Sequence, residues 1–144
     1  MPQGNVMTRM LFLNLPVTDL PRAMDFWSAL GFAFNPQFTD ENAACLIISD
    51  HAGVMLLTPA MFERFSTQPV ADPQQVTGAL VAITCESRAA VEAMVGAAIA
   101  NGGRAAMPPQ DHGFMYQWSF RDPDGHHWEP FWMDPAAVAP ATHQ

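Results

Sequence analysis

Two hydrophobic periods alternate along this chain, and their order occurs twice. Residues 7–17 (Met-Thr-Arg-Met-Leu-Phe-Leu-Asn-Leu-Pro-Val) predict a strand, with Phe12 and Asn14 on one face and Leu11, Leu13 and Leu15 on the other. Thr18-Asp19 ahead of Leu20-Pro21 predicts a helix start, Asp19 capping and proline in the first turn. Leu20, Met24, Trp27 and Leu30 then recur at helical spacing, and Gly31 predicts the stop. Three short strands follow over 32–39, 43–49 and 54–58, separated by Asp40-Glu41-Asn42 and Asp50-His51-Ala52-Gly53. Residues 59–65 read as a short helix. The polar segment 66–75, with its two prolines, reads as an exposed, mobile linker.

The second half repeats the order with different residues. A strand is predicted over 77–85 and a helix begins after Ser87, with Val91, Met94, Val95, Ala98 and Ile99 forming its apolar stripe. Asn101-Gly102-Gly103 ends that helix. Strands are predicted over 104–107, 114–121 and 127–133, and the Ala- and Pro-rich tail from Asp134 to Gln144 reads as loosely ordered. Each half is strand, helix, strand, strand, strand. The expected architecture is α+β: two paired βαβββ modules (about 7–58 and 77–133, joined by 59–76) forming one curved mixed sheet around a cleft, in a single domain of residues 1–144.

The sharpest chemical clue is Phe120-Arg121-Asp122-Pro123-Asp124-Gly125-His126-His127-Trp128-Glu129. Pro123 presets one corner of a tight turn and Gly125 supplies the positive φ that closes it. Beyond it, His127, Glu129, Phe131 and Met133 share a face, and Trp128, Pro130 and Trp132 share the other. Glu129 therefore sits inside an apolar strand, where a carboxylate is costly unless something offsets its charge. Arg121, Arg104 or a histidine are structural partners to weigh against a role in chemistry. His126 reads as part of the turn, and His112 as an exposed loop residue. Pro130 deletes a ladder hydrogen bond and predicts a bulge or an edge. Tyr116 and Trp118 share a face with Phe114 and Phe120; aromatics of this kind belong either to the core or to a pocket for a planar molecule. Asn14 is polar inside an apolar strand and reads as a pocket contact or a satisfied buried amide.

Composition narrows the function. The 144 residues are 49% hydrophobic and 14% charged, enough for a substantial core. A formal charge of -8 with six scattered basic residues excludes a nucleic-acid or anionic-membrane surface. No apolar run reaches the length of a membrane span and Met1-Pro2-Gln3-Gly4-Asn5 is not expected to open a signal peptide, so a cytoplasmic protein is expected. Cys45 and Cys85 lie in apolar strands without CxxC spacing and are expected to stay reduced.

The paired order, together with Leu15-Pro16-Val17-Thr18-Asp19-Leu20, Phe26-Trp27-Ser28-Ala29-Leu30-Gly31-Phe32, Phe120 to His126 and Trp128-Glu129, resembles the vicinal oxygen chelate superfamily. That superfamily includes glyoxalase I (the lactoylglutathione lyase-like branch), bleomycin- and fosfomycin-resistance proteins and extradiol dioxygenases. The resemblance covers residues 7–133. It implies lyase, isomerase or dioxygenase activity, or metal-free drug sequestration, often in a homodimer. It also implies a divalent metal held by four positions, of which one matches Glu129. The others fall on Phe12, on Leu80 and on the apolar run Val54 to Leu57, which offer no hard ligand.

The expectation is therefore a protein that binds or transforms a small organic molecule in the cleft without the usual metal. Glu129 is the candidate acid–base group, and the surviving position should any metal bind. Phe12, Asn14, Leu80, Tyr116, Trp118, His127 and Phe131 are the candidate ligand contacts. Two alternatives stand beside it: sequestration without catalysis, and a metal-dependent lyase or dioxygenase using a rearranged set such as Glu129, His127 and His112. The cofactor stays open, and the expected partners are a small organic molecule and a second copy of the chain.

Overall fold

The computed structural model describes residues 8–137. Met7, the expected start of the first strand, and residues 138–144 of the tail lie outside the described residues. The chain is α+β and divides into two compact units, Met1–Val70 and Ala71–Gln144.

The first unit contains β1 (Leu11–Pro16), α1 (Leu20–Ala29), β2 (Phe34–Asn35), β3 (Ala43–Ser49), β4 (Ala52–Leu57) and α2 (Pro59–Arg64). Its sheet runs β1-β4-β3-β2, with β1 parallel to β4 and the other pairs antiparallel. The Asp19 carboxylate accepts from Arg22 N at 3.0 Å, and Gly31 at φ 95 follows the last turn of α1. One sheet face carries Leu15, Val54, Leu56, Leu46 and Ala44, all buried, and α1 packs on β3 and β4 with Leu20, Ala23, Phe26 and Trp27. The opposite face carries Phe12, Asn14, Met55 and Ile47 and is much more open.

The second unit contains β5 (Leu80–Thr84), α3 (Arg88–Ala100), β6 (Arg104–Ala105), β7 (Gln110–Asp111), β8 (Met115–Gln117), β9 (Phe120–Arg121) and β10 (His127–Met133). Strand β10 is central, with parallel β5 on one side and antiparallel β8 and β9 on the other. Strands β8 and β9 continue one another along β10, with β7 and β6 outside them. The strand order of the first unit is thus repeated. Ser87 Oγ caps α3 by accepting from Ala90 N at 3.0 Å. Val91, Val95 and Ala98 are buried, whereas Ile99, at the edge of the predicted stripe, is exposed.

Several expectations change. The strand predicted over 32–39 shortens to Phe34–Asn35, because Pro36 cannot donate to a ladder and Asn35 Oδ1 accepts from Gln37 N to start a 3-10 turn. Ala52 and Gly53 belong to β4 rather than to a turn. A Cβ on Gly53 would lie 2.9 Å from the Phe12 ring, so here glycine marks close approach by a neighbour. The predicted strand 114–121 is broken at Trp118-Ser119. The cause is Pro130, opposite: it is buried in the central strand, and the register is the same on both sides, so it makes neither a bulge nor an edge. Trp118 N still donates to Pro130 O at 3.2 Å, and only the return bond is missing. Gln110-Asp111, expected in a loop, forms β7, with His112 N bonded to Met115 O across the turn. The tail begins with a 3-10 turn at Pro135–Ala137. The polar segment is exposed, but its end is tied down: Gln75 and Val76 amides bond to Asp72 O, and Gln74 Nε2 donates to Pro123 O at 3.0 Å.

Candidate functional site

The Asp-Pro-Asp-Gly turn is built around one buried carboxylate. Asp122 Oδ1 accepts from the amides of Asp124 and His126, both at 3.0 Å, and Oδ2 accepts from the Trp128 indole at 3.0 Å. Gly125, at φ 99, closes the loop through its amide to Asp122 O. Burial pushes the Asp122 carboxyl up, while the neighbouring His126 and the hydrogen-bond donors act in the opposite direction. Sequence reading passed over Asp122 as a hub. The signal was there, since an aspartate opening a turn commonly accepts from the amides that follow it. His126 takes part through its backbone, in keeping with a turn role.

The hub fixes where β10 begins, and so fixes the side chains after it. Trp128 and Pro130 are buried on the face that packs against α3, as is Phe120 of β9. Tyr116 lies on that same face. Its hydroxyl bonds to Glu92 Oε2 of α3 at 3.0 Å, and desolvation, then the Glu92 hydrogen bond, raise its pKa. Trp118 lies beside Met107, Pro108 and Ser119, its indole Nε1 buried without a hydrogen-bond partner among the described residues.

The other face holds His127, Glu129 and Phe131 of β10, with Leu80, Ala82 and Thr84 of β5 beside them in register. Leu80 is 59% exposed. The Glu129 side chain is 19% exposed and that of His127 only 6%. His127 Nε2 stands 3.3 Å from Glu129 Oε2 without hydrogen-bond alignment, and among the described residues both ring nitrogens lack a hydrogen-bond partner. The arginines weighed as partners of Glu129 are engaged elsewhere: Arg121 donates to Gly125 O and Thr77 Oγ1, and Arg104 to Gln74 Oε1. His127, Glu129, Phe131 and Leu80 are thus brought together on this face; Tyr116 is not.

In the first unit, Phe12 covers Gly53 on the open face and Asn14 lines a cavity of about 690 Å³ between α2 and the sheet. Leu57, Phe62, Phe65, Ser66 and Gln68 also line it. Sequence reading singled out Asn14 but none of its neighbours there. Phe62 and Phe65, three residues apart on a short helix before a polar segment, were the available clue.

The donor set does not suit the mononuclear divalent ion implied by the resemblance. On the first unit the matching positions are Phe12 and the apolar side chains of β4; on the second they are Leu80 and Glu129. A carboxylate with carbon at the companion positions leaves most of a coordination shell to water. The His112 ring lies tilted beside that of Phe114, 6.5 Å between centroids, and among the described residues no group of three or more His, Cys, Asp or Glu converges as a metal cage. Cys45 and Cys85 are free thiols, both raised by burial. No helix among the described residues is long and apolar enough to cross a membrane.

Comparison with known proteins gives a consistent family. A hypothetical protein, SA1046 from S. aureus, is 25% identical with a TM-score of 0.73, covering 89% of this chain and 95% of that one. A glyoxalase/bleomycin resistance protein/dioxygenase family enzyme from Burkholderia phytofirmans PsJN is 17% identical with a TM-score of 0.70, covering 85% and 96%. The fosfomycin resistance protein FosX from Mesorhizobium loti is 14% identical with a TM-score of 0.60, covering 92% and 96%. The last two likenesses show the fold alone. No curated protein matches the chain by sequence. The profile of the Glyoxalase/Bleomycin resistance protein/Dioxygenase superfamily matches residues 9–129, most of the length, and the chain belongs to that superfamily.

Proposed function

We propose that this protein binds a small organic molecule without the usual divalent metal of its superfamily, and that Glu129 is its acid–base group. The observation that carries the reading is the pairing of a largely buried Glu129 with a deeply buried His127 at 3.3 Å, on a sheet face whose other side chains include Leu80 and Phe131. A carboxylate in such surroundings accepts a proton from a bound C–H or O–H group and returns it, with His127 restraining its position. Phe131 and Leu80 supply apolar contact to the same molecule. The test combines ligand-induced thermal stabilisation with mass analysis of the recovered ligand. Glu129→Gln should abolish turnover while binding weakens little; unchanged turnover rejects the acid–base role. One tightly bound Ni, Zn, Fe or Mn per chain, with activity lost on chelation, rejects the metal-free reading.

A second reading, sequestration with no chemistry, draws on the cavity beside Asn14, because among the described residues no titratable side chain lines it. It expects the ligand to be recovered intact and Glu129→Gln to be without effect. A homodimer in the cytoplasm fits either reading. Each unit leaves apolar side chains exposed on an edge strand, Leu11 at 72% on β1 of the first unit and Leu80 at 59% on β5 of the second, and either edge could meet a second copy. A monomer mass by light scattering would remove the dimer.

A further inference from the structure

The cavity of the first unit has a character of its own. At about 690 Å³ it falls within the range that holds small organic molecules. Leu57 forms an apolar floor, buried in β4. Phe62 comes from α2 and Phe65 caps its C-terminus, 75% exposed at the lip, an aromatic surface with much water to lose on contact. Among the described residues the polar atoms come from Asn14, Ser66, Thr67 and Gln68, all of them uncharged. Ser66 is already engaged: its hydroxyl donates to Gln68 O at 2.6 Å and accepts from Gln68 N at 3.1 Å, which shapes the rim. Asn14, on a strand, is therefore the most rigidly placed polar contact.

Charge decides which molecules this lining accepts. An anion entering it would lose hydration with no cation to meet it, on a protein of net charge -8 that repels it from a distance. A cation would find no carboxylate. A flat apolar ring with one hydrogen-bond acceptor loses little hydration, meets Phe62, Phe65 and Leu57, and can take a bond from the Asn14 amide. We infer that the recess between α2 and β1 is a binding site for neutral, planar aromatic molecules carrying a carbonyl acceptor. This rests on the reading that the protein takes small organic molecules, and adds the place and the class.

Three probes of one shape and different charge test it by amide NMR on the full chain: 2-acetylnaphthalene, 2-naphthoate and protonated 2-naphthylmethylamine. The neutral ketone should shift the Asn14 side-chain amide and the backbone amides of residues 62–68. The two ions should bind at least about fivefold more weakly. Asn14→Asp, which keeps the shape but replaces a donor with a charge, should weaken the ketone by at least about fivefold, the equivalent of one lost hydrogen bond. Equal or tighter binding of either ion overturns the assignment to neutral ligands. Shifts centred on residues 127–131 overturn the site while leaving the Glu129 proposal standing. Absence of shifts with all three probes overturns site and class together; the Glu129 proposal is decided separately, by turnover of the Glu129→Gln variant.

Discussion

Replacing Asp122 with asparagine changes almost no volume and should nevertheless be among the more damaging single substitutions in the second unit. The carboxylate takes three hydrogen bonds, two from backbone amides on Oδ1 and one from the Trp128 indole on Oδ2, all at 3.0 Å. Asparagine has one acceptor oxygen. If that oxygen stays on the backbone amides, its NH2 group faces the indole N–H, and two buried donors oppose each other. If it flips, the NH2 group faces two amides. The lost charge-assisted bond is worth about 1.5–3 kcal/mol, and an orphaned buried donor costs about 1–3 kcal/mol. Because burial already disfavours the charged carboxylate, neutralising it returns part of that sum. The net cost should be about 2–4 kcal/mol. Trp128→Phe removes the facing donor, so the double variant should be less damaged than the two single costs predict, with a coupling of about 1–3 kcal/mol. Urea unfolding of the four proteins, with unchanged slopes, measures both quantities. A cost of Asp122→Asn below about 0.5 kcal/mol, or strict additivity with Trp128→Phe, would refute the claim that one carboxylate organises the turn.

Two glycines should respond in opposite directions to alanine. Gly125 combines φ 99 with a Cβ position 2.8 Å from Pro73 O and Gln74 Oε1, so Gly125→Ala should cost at least about 2 kcal/mol; Gly96, inside α3 with open space around it, should gain about 0.5–1 kcal/mol, and thermal melts of both read the signs. The Arg88–Asp111 pair gives a pH test. The Arg88 hydrogen bond, then the Gly113 amide, hold the Asp111 carboxyl below its ordinary 3.8, so its contribution is complete above that pH and is lost as pH falls through the lowered value. The melting-temperature gap between the natural protein and Asp111→Asn should therefore be constant at neutral pH and close only in strong acid; a gap independent of pH removes the pair from the account.

The repeated strand–helix–strand–strand–strand order was legible because its signals are local. Asp19 and Ser87 cap helices through bonds to residues three positions on, and Gly31 and Gly125 adopt the positive φ that their turns demand. The apolar alternation of β10 also placed Glu129 beside His127 and Phe131 before any contact was known, because a strand's side-chain period is a property of the backbone. Only the tertiary structure decided what those side chains meet. Periodicity cannot say which face of a sheet a helix covers, so it leaves Tyr116 a candidate ligand contact, whereas the tertiary structure puts its hydroxyl on Glu92 of α3. Nor can it say that Pro130 is tolerated in a central strand, where the neighbouring ladder gives up one bond and keeps its register. The cavity beside Asn14 joins β1 to residues some fifty positions later in the chain, and Gln74 reaches the 122–125 turn across a similar separation. Such contacts arise from packing between distant segments, and no local pattern of residues records them.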